Sequence, residues 1–311
     1  MQRNNNKVRP YLSLHFLILI FGFTGILGKY IDTPSTALVI YRTGLTFIAL
    51  GIYMRYKGVS FSVGRKNLVL LLLSGGVIGL HWVLFFAAIK TSNVSVTMAM
   101  LATGALFASL LEPIFYHRRL RPHEVLLGLV AVGGIYVIYS GAEHADFKSG
   151  IIIALCASFL SACYSIINSK WSEKLPDGAV SVAFYEMIGS VVVVAALFAP
   201  SEGFLQGFAC VDFKDALGIL FLAVVCTAYT SVRMIQLFKY LSPFTMMLNI
   251  NLEPVYSMIM AVLIFPDTER MSGRFYIGAA VILSTVVLNA LLNNYRDRRR
   301  AKRLASTAVE A

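Results

Sequence analysis

Long apolar runs separated by short polar stretches set the pattern of this chain. Ten are read, at about 11–28, 36–54, 67–89, 94–116, 123–141, 150–169, 179–199, 216–238, 243–265 and 273–293. A hydrocarbon core about 30 Å thick takes roughly 20 mostly apolar residues to cross as a helix, and each run has about that length. The runs are continuous rather than alternating, so they predict transmembrane helices and not the strands of a membrane barrel. The first run is too long for a cleaved signal peptide and has no A-x-A exit, so it too is read as a span. The expected fold class is all-α integral membrane, with ten transmembrane helices.

Composition narrows the functional classes. The chain is 58% hydrophobic and 14% charged, with a mean hydropathy of +0.73. Soluble domains carry roughly 25% charged residues, and disordered chains need low hydrophobicity, so both classes are excluded. Four Cys with no C-x-x-C rule out a disulfide-stapled module. The chain has no G-x-S-x-G, no H-E-x-x-H, no phosphate-binding Gly-rich loop and no clustered His and Cys, so no cofactor or metal is expected. All seven Asp fall in predicted loops or the tail, which argues against an intramembrane aspartyl protease. No predicted loop is long enough for an ATPase domain, so transport would run on a gradient.

Charge then orients the spans. With the N-terminus inside, 19 Lys and Arg lie in inner segments and 6 in outer ones, while Arg42 and Arg233 lie within spans. The positive-inside rule therefore predicts cytoplasmic N- and C-termini. The net charge of +11 is concentrated in Arg296, Arg298, Arg299, Arg300, Lys302 and Arg303. That tail is read as facing lipid headgroups rather than nucleic acid.

The first five runs can be laid over the last five. Lys29 and Lys170 end the first and sixth, Pro34 and Pro176 precede the second and seventh, and Tyr41-Arg42 matches Tyr185-Glu186. Lys90 and Lys239 follow the third and eighth, and Gly128 and Gly278 sit alike in the fifth and tenth. Five is odd, so the second copy enters the membrane from the opposite side. Inverted repeats suit alternating access around a midplane site. The expected units are residues 11–141, residues 150–293 and a basic cytoplasmic tail, 294–311.

Leu252-Glu253-Pro254, Glu269-Arg270 and Ile277-Gly278-Ala279 in the second half, with Ala87-Ala88-Ile89-Lys90-Thr91-Ser92 running into Ala99, Leu101 and Ala102 in the first, carry a family resemblance. Over about 11–293 the chain resembles the EamA branch of the drug/metabolite transporter superfamily. The resemblance implies a ten-helix basket with a central cavity in the cell inner membrane, exporting small metabolites, amino acids among them. The chain departs from that pattern in its first half. Thr103-Gly104 stands where Glu253-Pro254 has its equivalent, an acid–proline pair comes later at Glu112-Pro113, and Arg118-Arg119 replaces an expected acid.

Polar residues sunk in apolar runs are the candidate site, because a charge at mid-bilayer costs at least roughly 2.5–3.5 kcal/mol and normally faces a bundle interior or wet cavity. Arg42, about 10 Å below the outer surface by helical rise, could attract a substrate carboxylate or form a structural ion pair. His81 and Trp82 lie in the third run; the imidazole can bond substrate, carry a proton or simply satisfy an interhelical hydrogen bond, and the resemblance implies that third-span residues line the cavity. Glu253, beside Pro254, could exchange a proton or brace a kink, with Asn249 and Tyr256 on its face. Tyr41, Tyr164, Tyr185 and Tyr229 join Trp82 as candidate walls for an apolar side chain. Glu186 and Arg233 are close in depth and are read as an inner latch. Glu112 is read as a partner of His117, Arg118 and Arg119. The expected partners are a small-molecule substrate and the bilayer, with no nucleic acid and with room for a homodimer. The alternative is an integral-membrane enzyme acting on lipid or isoprenoid substrates, for which Glu112 with His117 and His123 is the one weak cluster.

Overall fold

The computed structural model describes residues 2–116, 122–141, 145–174, 178–209, 211–237, 249–250 and 252–310. Among them there is no β-strand. The helices are α1 (Gln2–Tyr30), α2 (Ser35–Lys57), α3 (Arg65–Thr91), α4 (Val94–Leu101), α5 (Gly104–Tyr116), α6 (Pro122–Ser140), α7 (Ala145–Lys174), α8 (Ala179–Phe198), α9 (Gln206–Ala209), α10 (Phe213–Ala223), a π-turn (Val224–Tyr229), α11 (Thr230–Leu237), α12 (Glu253–Ile264), α13 (Pro266–Glu269) and α14 (Gly273–Glu310).

Eight stretches of the described residues are long and apolar enough to cross a membrane, from Pro10–Tyr30 to Phe213–Met234, and the apolar helices Glu253–Ile264 and Gly273–Asn289 are shorter. Two features interrupt the expected spans. The fourth run breaks at Ala102 and Thr103 between α4 and α5, where Thr103 Oγ1 turns back to the Met100 carbonyl, 2.6 Å away. The eighth passes through the π-turn. The ninth run begins at 243–248, and that stretch, like Pro176, Lys239, His117, Arg118 and Arg119, lies outside the described residues.

Local chemistry sets the helix ends. Gly58 stops α2 in the left-handed region at φ 67°, where a Cβ would be strained. Asn93 caps α4, its side chain accepting from the Val96 amide at 2.8 Å. Asp212 caps α10 by accepting from the Asp215 amide at 2.7 Å. Such caps satisfy amides that the helix leaves without partners.

Tertiary packing joins the two halves intimately. The helix α3 packs on α7 and α8, α2 packs on α8 and on α10 with the π-turn, and α1 packs on α10, the π-turn and α11. The pair α4 and α5 packs on α7, α12 packs on α1 and α4, and α6 packs on α14. The α3–α8 joint is backbone against backbone. A Cβ at Gly75 would stand 2.0 Å from the Glu186 carbonyl oxygen, and one at Gly189 would stand 2.2 Å from that of Leu72. Neither carbonyl is a flexible group that can retreat. Gly75→Ala is therefore expected to cost more than the 1–3 kcal/mol typical of overpacking. Gly128→Ala, with nothing within 4 Å of its new Cβ, should leave stability unchanged. Thermal unfolding of the two purified variants checks the contrast.

The end of the bundle that carries the α1–α2 turn is closed by polar contacts. Glu269, fully buried, accepts from the Val94 and Ser95 amides at 3.1 and 2.9 Å and from Lys29 at 2.7 Å. Lys29 also donates to Thr268. Asp215 accepts from the Asp32 amide at 3.1 Å and from the Thr33 amide and hydroxyl, both at 2.7 Å. Lys90 donates to the Ile31 carbonyl at 2.6 Å. At this end α1 also touches α3 and α4, and among the described residues α7 makes no comparably extensive contact with α10, α11 or α12.

Candidate functional site

The centre of the bundle gathers polar groups from α2, α3, the π-turn and α12. Arg42 of α2 is 3% exposed. Its Nε donates to Thr227 Oγ1 at 2.8 Å, and its guanidinium lies over the Trp82 ring at 4.2 Å and near Phe86 at 5.7 Å. Desolvated cation–π contacts of this kind are worth about 2 kcal/mol. They hold the plane of the guanidinium while leaving donors free: its buried Nη1 has no hydrogen-bond partner.

The π-turn creates the seat for this arginine. A π-turn widens the helix by one residue and frees carbonyls from their usual bonds, and such turns occur frequently at functional sites. Thr227 Oγ1 accepts from Arg42 while donating to the Leu222 carbonyl at 2.8 Å. Thr46, one turn after Arg42, donates to the Ala223 carbonyl at 3.1 Å. The turn and α2 are thus locked together on either side of the guanidinium. Cys226, buried beside them, lies within electrostatic reach of Arg42.

Glu253 and His81 complete the cluster. Glu253 opens α12, with Pro254 in its first turn, where a missing amide costs nothing. Its side chain is half-buried and within electrostatic reach of Arg42. No hydrogen bond to it occurs among the described residues. His81 donates from Nδ1 to the Ala157 carbonyl at 2.8 Å and stacks on Phe85 with ring centroids 6.1 Å apart. That bond leaves its Nε2 as the nitrogen available to a ligand, and Arg42 acts on the ring electrostatically. Asn249 lies four residues before Glu253 and is half-buried. Tyr256, three residues after Glu253, shares a hydrogen bond of 3.1 Å with His15 Nδ1.

The structure brings Arg42, His81, Trp82 and Glu253 near one another and distributes the tyrosines elsewhere. Tyr41 donates to the Phe208 carbonyl at 3.1 Å, at the closed end. Tyr185 donates to the Phe61 carbonyl at 2.7 Å, in the α2–α3 loop. Tyr229, on the outer surface of the π-turn, is 41% exposed. In the first two cases the phenol reaches a backbone carbonyl, of α9 for Tyr41 and of the α2–α3 loop for Tyr185, which satisfies its hydroxyl without entering the cluster. Tyr164 meets Glu186 instead, at 2.9 Å. The latch between Glu186 and Arg233 is not formed either. The other Glu186 oxygen accepts from Ser74 at 2.6 Å, and Arg233 donates to Ser13 at 3.4 Å. Equal depth did not put the two side chains on facing surfaces.

Thr227, Thr46 and His15 were missed by sequence reasoning. His15 could have been found, because a histidine inside the first apolar run is itself a signal. Threonines in apolar runs carry no such mark, and nothing in the periodicity reveals a π-turn.

Comparisons with known proteins bear on this arrangement. The model of a family described as the EamA-like transporter family matches the chain twice, over residues 9–140 and 148–291. A protein of Salmonella typhimurium named a probable amino-acid metabolite efflux pump is 24% identical over 253 residues, covering 78% of this chain and 83% of that one. An uncharacterized transporter of Archaeoglobus fulgidus is 22% identical over 204 residues, covering 66% and 69% respectively. A crystal structure with no function in its description superposes with a TM-score of 0.61 at 17% identity, covering 92% of this chain and 98% of the other. That last likeness speaks to fold alone.

Proposed function

This chain belongs to the EamA-like transporter family, and from that premise we propose that it is a secondary carrier exporting small organic metabolites, amino acids in particular, by alternating access of the Arg42 site. The reading places it in the cell inner membrane with both termini cytoplasmic and the Lys29–Glu269 end outside. Its architecture is a pair of inverted five-helix repeats, supported by the two family matches falling on successive halves. Packing supports the same reading. Exchanging the halves turns the α3–α8 contact into α10 and the π-turn on α2, turns α3–α7 into α1 on α10 and α11, and turns α4 and α5 on α7 into α12 on α1. The pairs α2–α8 and α6–α14 map onto themselves. On this reading the molecule is closed to the outside, by the contacts of Glu269 and Asp215.

One observation carries the amino-acid proposal: a buried cation with an idle donor, Nη1 of Arg42, stands near a carboxylate that no donor among the described residues satisfies, Glu253. A zwitterion answers both, its carboxylate on Arg42 and its ammonium on Glu253. Charge-assisted bonds to such groups are roughly twice as strong as neutral ones. Trp82, Phe86 and Phe85 offer apolar surface to the side chain. Counterflow in proteoliposomes, run with labelled common amino acids, tests the idea. Exchange of an apolar or aromatic amino acid is expected. Unlabelled phenethylamine and 3-phenylpropionate, each lacking one of the two charges, should compete at least about tenfold more weakly than phenylalanine, since one lost charge-assisted bond is worth about 1.5–3 kcal/mol. Equal competition by either analogue, or no amino-acid exchange at all, overturns the assignment.

A further inference from the structure

Glu186 stands apart from the Arg42 cluster. It is 1% exposed, in the middle of α8. Its two oxygens are held by hydroxyls from two other helices, Ser74 of α3 at 2.6 Å and Tyr164 of α7 at 2.9 Å. The elements packed on α8 are α2, α3, α7 and α11, and α3 and α7 contribute Ser74 and Tyr164 at the carboxyl. The contribution of α2 at that surface is Phe47, Leu50 and Gly51, packed on Phe184 and Met187. The charged residue of α11, Arg233, is directed to Ser13, and Tyr185 of α8 itself is directed to Phe61. Among the described residues no cation reaches the Glu186 carboxyl. An isolated charge in such a place is normally neutralised or paired.

Hydroxyl partners suit a group that changes state. A serine or tyrosine hydroxyl can donate to a carboxylate or accept from a carboxylic acid. Both forms of Glu186 therefore keep their hydrogen bonds without a change of rotamer. Tyr164 also interacts with Asn168, one turn nearer the end of α7 that carries Lys170 and Lys174. A polar line thus runs from the buried carboxyl toward that membrane face. Next to it Gly75 and Gly189 bring α3 and α8 into backbone contact, so a change at this carboxyl acts on the joint between the two halves.

We propose that Glu186, held by Ser74 and Tyr164 where α3, α7 and α8 meet, is a proton-binding site of this protein, loaded and emptied along the Tyr164–Asn168 edge. Its role in coupling proton movement to export rests on the carrier reading; proton binding itself does not. The proton adds to one carboxylate oxygen from water and returns to water, with no other bond made or broken.

Infrared difference spectroscopy of the full-length protein in phosphatidylcholine vesicles, titrated between about pH 5 and pH 9, reads the protonated-carboxyl stretch directly. A titrating buried carboxyl is expected in the wild type, absent in Glu186→Gln and retained in Glu253→Gln. Tyr164→Phe, which keeps the ring and its packing, should retain the band but shift the midpoint about tenfold in proton concentration, since a hydrogen bond to a charged group is lost. A band that persists in Glu186→Gln, a band lost in Glu253→Gln, or an unmoved midpoint in Tyr164→Phe overturns the proposal. Counterflow of labelled phenylalanine without a pH gradient separates the two readings. Its failure in the wild type counts against the carrier assignment and leaves the infrared result to decide the proton site.

Discussion

Arg42→Ala is expected to reduce the apparent affinity for a carboxylate-bearing substrate at least about 30-fold. Truncating one partner of a buried hydrogen-bonded charge pair costs 2–5 kcal/mol or more, and each 1.4 kcal/mol is a factor of ten. The lower bound applies if water enters the vacated space and solvates the substrate carboxylate. Two other contributions push the loss upward. Trp82 would lose the cation that lies 4.2 Å above it, so the ring would no longer be fixed as one wall. Glu253 would lose the positive neighbour that acts on it, and its own attraction for a substrate ammonium would change with its charge. Arg42→Lys restores the charge but not the fork of donors or the stacking plane, so it should recover only part of the affinity. Counterflow at graded substrate concentrations measures all three proteins. Unfolding temperature provides the control, since wild-type stability in Arg42→Ala separates lost binding from lost folding. Unaltered affinity in a folded Arg42→Ala protein would remove this site from the transport path.

Glu269→Ala should loosen the closed end by about 2–3 kcal/mol. Breaking a buried pair by deleting one partner usually costs 3–5 kcal/mol, and the Lys29 side chain, 21% exposed, regains some hydration. What remains is mostly the two α4 amides, Val94 and Ser95, left without an acceptor. On the alternating-access reading proposed above the loss falls on one conformation, so it should appear as a shift in population as well as in melting temperature. Cys226 supplies a native reporter, being buried beside Arg42 in the closed arrangement. In a background with the other three cysteines replaced by serine, maleimide labelling of Cys226 should run at least about tenfold faster in Glu269→Ala, as 2 kcal/mol of population shift exceeds one factor of ten. Unchanged labelling and unchanged melting together would mean that Glu269 bears no part of the closure.

The reach of the sequence can be judged residue by residue. Helical spans were legible because a bilayer imposes length and apolarity on each segment, with little freedom left to tertiary context. Arg42, His81 and Glu253 were legible for a related reason: an ionisable group in such a segment must face something other than lipid. The tyrosines were not. A phenol is tolerated on lipid, at an interface or in a core, and only the position of a carbonyl such as that of Phe208 or Phe61 decides which. Glu186 was paired with Arg233 on depth alone, and its carboxyl meets Ser74 and Tyr164 instead. Sequence spacing gives depth along a helix, but the rotation of α11 against α8 depends on the phase introduced upstream at Val224–Tyr229. The contacts of Glu269 and Asp215 were invisible because each joins residues more than 170 positions apart through backbone amides, and an amide has no signature in a sequence.

The extra residue accommodated between Val224 and Tyr229 widens one turn of that helix. Deleting one residue there would restore regular α-helical winding and remove the widened turn in which Thr227 sits, while the helix beyond keeps its place. The hydroxyl of Thr227 would then leave Arg42 without its anchor. Relatives one residue shorter at this point should accordingly lack a basic side chain at the position of Arg42. In that sense the length of one helix, rather than any residue in it, determines what charge the centre of the protein can hold.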